Sequence, residues 1–258
     1  MNPILIDSHA HIYLNEFKDD IDLIIEKSIS NNISKILMPN INLETVAENL
    51  KLSSSFDSVC YPMLGLHPCY IQKNYKEEIQ KIFKKFNDNI IAIGEIGIDL
   101  FRNNKNYNDQ VDALKIQCEF ALKKKLPVVI HTRNSIDETI EVISSFKNKD
   151  LKGVFHCFVG DYNQANRIID LGFKLGIGGI LTFKNSDLKE TISKIDIKNL
   201  ILETDSPYLS PEPLRGKTNN PSNLIIIAKK LAEINSIPLD VVCQVTSENT
   251  SNLFSLNS

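Results

Sequence analysis

The chain has 258 residues, is 42% hydrophobic and 24% charged, and carries a formal net charge of −3. That length allows a sizeable core, in one large domain or two small ones, and no apolar run reaches the ~18–20 residues a membrane span needs. The mildly acidic balance excludes the global basic field of a tight, non-specific nucleic-acid binder, though not a nucleic-acid substrate held by a local patch.

Strand-like apolar runs lie near residues 4–8, 33–39, 58–66, 90–96, 126–131, 152–157, 172–178 and 199–204. Amphipathic helical stretches alternate with them: 19–32 after the first strand, 76–86 after the third, 108–125 after the fourth, 136–146 after the fifth, then 161–172 and 186–195. Two further helices, 221–235 and 238–254, close the chain, each opened by a proline near its start. In the first helical stretch Leu23, Ile24 and Ile25 are expected in the core.

Eight β–α repeats in about 250 residues match a TIM (β/α)8 barrel. Near-continuous apolar strands fit parallel strands buried on both faces. No Gly/Ser/Pro-rich linker or low-complexity tract interrupts the pattern, so residues 1–258 are read as a single α/β domain. A doubly wound open sheet shares the alternation, but no GxGxxG follows the first strand. The N-terminal MNPILIDSHAH lacks a basic segment followed by a long apolar stretch, so no secretory signal is expected. Five cysteines, odd in number and without a CxxC pair, fit a reducing compartment, and the cytoplasm is the expected location.

The chemistry gathers at one end of the strands. All five histidines fall at or just past the C-terminal ends of apolar runs: His9 and His11 in ILIDSHAH, His67 in YPMLGLHP, His131 in LPVVIHTR and His156 in LKGVFHCF. Two other runs end in a carboxylate, Glu95 in IIAIGEIG and Asp205 in LILETD. These residues come from at least six strands, which an open sheet would spread along an edge and a barrel brings around one mouth. The i, i+2 spacing of His9 and His11 points both side chains the same way, so they can share one metal ion, with Asp7 nearby. Glu95, flanked by glycines, can bridge two cations through its two oxygens. His131 and His156, on neighbouring strands beside Glu95, supply a second metal site. Asp205 completes the first site or takes a proton from the attacking water.

His67 is read as a donor to the substrate or leaving group, because the ligands suffice without it. Arg133, two residues past His131, and Arg215 and Lys217, in the loop SPEPLRGKTNNP, are read as substrate contacts, since loops after the last strands of such barrels frequently bind phosphate. Asp99 is read as structural. Cys157, next to His156, is expected to pack against a helix because adjacent strand residues face opposite ways.

The ordered set SHAH, GLHP, GEIGID, PVVIHTR, GVFHCF and LETDSPYL, followed by RGKTNNP, resembles the TatD family of metal-dependent deoxyribonucleases over essentially the whole chain. The resemblance implies a TIM barrel, a two-metal site and phosphodiester hydrolysis on DNA, with His9, His11, Glu95, His131, His156 and Asp205 in the ligand places. Two positions depart from it: Tyr13 stands where the family often has an acidic residue, and Leu100 where it often has an aromatic one.

The expected reaction is attack of activated water on a phosphodiester, with Glu95 bridging the ions, Asp205 as base and His67 as donor. The expected partner is transient DNA, cut by exonuclease action on single strands, with no membrane and no obligate protein partner. A histidine-rich site suits zinc or manganese better than magnesium. The alternatives are a barrel amidohydrolase or esterase on a small molecule, hydrolysis of an ester on aminoacylated RNA, and a non-catalytic DNA-binding scaffold. Many amidohydrolase barrels bridge their metals with a modified lysine on the fourth strand, where this chain offers Glu95.

Overall fold

Strand and helix alternate along the whole of the computed structural model, which describes residues 4–102 and 105–256. The strands are β1 (Leu5–Asp7), β2 (Ile33–Met38), β3 (Cys60–Pro62), β4 (Ile93–Asp99), β5 (Val128–Arg133), β6 (Gly153–Phe155), β7 (Lys174–Ile177) and β8 (Leu200–Leu202). The helices are α1 (Ile21–Ser30), α2 (Val46–Ser55), α3 (Tyr75–Phe83), α4 (Tyr107–Lys124), α5 (Ile136–Ser144), α6 (Tyr162–Asp170), α7 (Leu188–Ile192), α8 (Leu224–Asn235) and α9 (Leu239–Phe254).

All strand pairs are parallel, in the orders β1-β2-β3 and β4-β5-β6-β7-β8. Two single bridges join these sheets at both seams, Leu64 to Ile93 and Ala10 to Ser206. Backbone bonds from Ser8 to Leu202, Asp205 to His9 and His11 to Ser206 strengthen the second seam. The eight strands therefore close into a TIM barrel. Asp7 clasps the same seam from below: it accepts from the backbone N–H and hydroxyl of Thr204 and from the N–H of His9. Burial pushes its carboxyl up to about 7.

One apolar cluster draws Ile6, Leu37, Met63, Ala92, Val129, Val154 and Ile201 from strands all around the ring. A cluster so distributed can only fill the barrel interior. Leu253, Phe254 and Leu256 at the end of α9 pack into it and close the bottom. Each fully buried aliphatic side chain contributes roughly 1.5–3 kcal/mol, so this plug is a firm floor. Val129, Val154 and Ile201 lie two residues before His131, His156 and Glu203, so alternation raises those polar groups one layer above it.

Three local expectations fail. The fourth strand runs Ile93–Asp99, so Glu95 lies inside it rather than at its end. Helix α2 has no counterpart in the sequence reading, because its buried face includes Asn49 and Ser53, which bond to the carbonyls of Met38 and Cys60. Leu23 is 45% exposed while Ile25 is buried; successive helix residues are ~100° apart and cannot share one face.

Candidate metal centre

The five histidines and four carboxylates, Glu95, Asp99, Glu203 and Asp205, meet at the C-terminal mouth of the barrel. Glu95 lies at the centre. Its Oε2 is 3.3 Å from His9 Nε2 and 3.4 Å from His11 Nε2, and Asp205 Oδ1 is 3.7 and 3.6 Å from the same nitrogens. Its Oε1 is 2.8 Å from both His131 Nδ1 and His156 Nε2. One carboxylate thus faces two pairs of imidazoles, one oxygen to each.

Local geometry explains how the sequence reaches this arrangement. Gly97 pairs with His131 across β4 and β5 at φ +151°, and a Cβ there would run into the His131 carbonyl. The close approach lets Glu95 and Asp99, two residues to either side of Gly97, flank His131. Asp205 sits in the left-handed region (φ +56°) as the chain leaves β8, which turns its side chain inward over His9 and His11.

The outer nitrogens fix how each ring is presented. His131 Nε2 is 3.1 Å from Asp99 Oδ2, so a carboxylate holds that ring from behind, as partners of metal-binding histidines do; His156 Nδ1 makes no hydrogen bond but faces Glu203 Oε1 at 3.5 Å. Asp99 thereby belongs to the site, which corrects its expected role as a purely structural residue. Glu203 is not among the residues that sequence reasoning singles out. Its only signal there is an acid inside an apolar strand, LILET, two residues before Asp205. Glu203 also accepts from the backbone N–H of Cys157.

His67 differs from the other four. The backbone N–H of Cys69 donates to its Nδ1 at 3.1 Å, so its proton resides on Nε2, which lies 3.2 Å from Glu95 Oε1. A protonated Nε2 has no lone pair for a cation. His67, Glu95 and His131 do lie close enough together to hold an ion, but this tautomer makes His67 a donor into the site.

Electrostatics favour positive charge here. Burial alone would raise the carboxyl of Glu95, yet His67, His156 and His9 hold it well below the usual range. Asp205 is likewise held low, by His11, His9 and His156, against burial. Burial opposes charge on His11, but Asp205 and Glu95 raise it to about 10. Glu95 and Asp205 thus stay ionised, and that negative charge suits cations.

The donor set fits divalent ions. His9, His11 and Asp205 form one close group of ligand-type atoms, and His9 and His11 present Nε2 to Nε2 at 3.1 Å. Ligands at ~2.0–2.1 Å around a tetrahedral zinc stand ~3.4 Å apart, which is the spacing of Glu95 Oε2 from His9 and His11, while Oε1 lies closer, at 2.8 Å, to His131 and His156. No helix among the described residues is long and apolar enough to cross a membrane.

At the rim, the Arg133 guanidinium lies over the Phe101 ring at 3.8 Å and that of Arg215 over Phe183 at 4.1 Å. Lys217 is exposed in the same loop as Arg215. Leu100 packs against the core, and its neighbour Phe101, 60% exposed, takes the rim position. Tyr70 and Tyr208, 40% and 51% exposed, stand beside His67 and His11. Cys157 does not behave as a strand residue: β6 ends at Phe155 and Cys157 has φ +47°. Burial first, then Asp205, Glu203 and Glu95, push its thiol up, and strand alternation, the ground for expecting it to face a helix, does not apply to it.

The family model described as TatD related DNase matches residues 6–255. An uncharacterized metal-dependent hydrolase of Buchnera aphidicola is 34% identical over 98% of this chain and 99% of its own. The crystal structure of YjjV, a TatD homologue from Escherichia coli, superposes with a TM-score of 0.92 at 28% identity, covering 98% of each chain. A TatD-family hydrolase from Entamoeba histolytica shares the fold with a TM-score of 0.88 at 23% identity, over 98% of this chain and 99% of that one.

Proposed function

The chain belongs to the TatD-related DNase family of metal-dependent hydrolases, and from that premise we propose that it cleaves phosphodiester bonds in DNA, using two divalent ions bridged by Glu95. The observation that carries this reading is the division of Glu95, with Oε2 toward His9 and His11 and Oε1 toward His131 and His156. His9, His11 and Asp205 would hold one ion, His131 and His156 the other. When bound, zinc or manganese supplies Lewis-acid activation of water and of the phosphoryl oxygen.

The chain's own residues supply the rest. Asp205 is ionised and 13% exposed at its side chain, so it can orient the attacking water and accept its proton. His67 turns Nε2–H into the site and donates to the oxygen on which charge develops. Arg133 and Arg215 lie over aromatic rings, and neither has a carboxylate partner among the described residues, so both are available to flanking phosphates. Tyr70, Phe101 and Tyr208 give bases a place to stack, which favours single strands over duplex.

The test is a time course on end-labelled single-stranded DNA, with and without chelator. Metal-dependent shortening of the label supports the reading. Intact DNA alongside turnover of a small ester or amide would move the protein to the amidohydrolase class, and turnover of an aminoacyl ester would move it to RNA.

A further inference from the structure

His11 is held from behind by a neutral group. The hydroxyl of buried Tyr13 lies 3.0 Å from His11 Nδ1 and 2.7 Å from the carbonyl oxygen of Pro39. A carbonyl can only accept, and a phenol has a single proton, so Tyr13 donates to Pro39. Its oxygen is then an acceptor toward His11, and the proton between them belongs to Nδ1 of the imidazole. That leaves Nε2 of His11 as the atom presented to Glu95 Oε2 and Asp205 Oδ1.

We propose that Tyr13 is a positioning residue of the metal centre, which fixes His11 in the Nδ1–H tautomer and anchors it to the end of β2 through Pro39. The proposal rests on the two-ion reading given above. Two features make the role specific to one half of the site. His131 is backed by the carboxylate of Asp99, and Glu203 faces His156 Nδ1 at 3.5 Å without a hydrogen bond. The outer nitrogen of His9 is buried without a partner. Among the described residues Tyr13 is therefore the side chain that hydrogen-bonds an outer nitrogen of the His9–His11 pair, and it does so without adding charge. The ring also lines a cavity of about 550 Å³ between α1 and α2 with Ile12, Leu14, Leu52 and Phe56, so loss of the hydroxyl leaves the ring's apolar packing in place.

The experiment is a chelator-competition titration of the zinc-loaded full chain, comparing wild type with Tyr13→Phe, with thermal melting as a check on the fold. Loss of a partner behind a ligand typically weakens metal binding by ~10–100-fold. Tyr13→Phe should weaken one of the two zinc steps by that factor and leave the other unchanged. Equal affinities in both proteins, or equal weakening of both steps, would overturn the role of Tyr13 while leaving the two-ion reading intact. A wild type that binds no zinc would remove the reading and the role together. An independent measurement needs no variant: 15N NMR of the zinc-loaded wild type should show the His11 proton on Nδ1, and a proton on Nε2 would overturn the proposal.

Discussion

The backbone N–H of Cys69 donates to Nδ1 of His67 at 3.1 Å, and so sets the proton of that imidazole on the nitrogen facing Glu95. The consequence separates His67 from every other histidine of the mouth. His67→Ala should retain both ions and lower kcat by ~10²–10³, the usual cost of removing one donor to a developing charge, with KM little changed. Metal analysis by mass spectrometry checks it. Loss of an ion in this variant would make His67 a ligand.

Asp99 holds His131 from the opposite side to Glu95. Asp99→Ala should weaken the second ion ~10–100-fold and spare the first. His131→Ala, which deletes the ligand itself, should lose the second ion before the first. Chelator titrations of the two variants, read side by side, give the order; unaltered binding in both would remove His131 from the metal centre.

Glu203 is housed by the absence of a side chain opposite it. A Cβ on Gly176 would overlap Glu203 Oε2 and come within 2.9 Å of the His156 backbone. Gly176→Ala should therefore destabilise the fold by ~1–3 kcal/mol, as overpacking does, and impair the ion held by His156. Urea unfolding measures the first effect and metal content the second. An alanine tolerated on both counts would mean that Glu203 is free to move and is not needed behind His156.

Arg133 and Arg215 should act on binding alone. Neutralising either should raise KM, leave metal content unchanged and reduce the salt slope of single-strand binding by ~0.7 for each phosphate that no longer meets a cation. Kinetics of Arg215→Ala at two salt concentrations separate this from a transition-state interaction, which would lower kcat instead. Unchanged KM and slope would return the guanidinium to a solvated role on Phe183.

Much of this cluster is legible in the sequence, because its histidines fall at or near strand ends and strand periodicity bears on which way they point. The spacing of His9 and His11, and the apolar runs before His131 and His156, carry that information locally. What escapes depends on contacts between distant segments. Asp99 lies beyond the expected end of the fourth strand, and only the pairing of Gly97 with His131 brings it to the imidazole. Glu203 reads as one acid in an apolar run until β7 contributes a glycine opposite it. Tyr13 reads as a departure from a motif, and its function needs the Pro39 carbonyl, 26 residues away. Helix α2 is hidden because polar side chains on its inner face satisfy strand-end carbonyls, so its sequence shows little amphipathic period.

The central claim is that Glu95 joins two ions in one site, and metal stoichiometry tests it most directly. Purified protein reconstituted with excess zinc or manganese should approach two ions per chain, as a bridged two-metal site requires, and Glu95→Ala under the same conditions should fall to one or none. A wild type that binds one ion or none, or a Glu95→Ala variant that still binds two, would contradict the account.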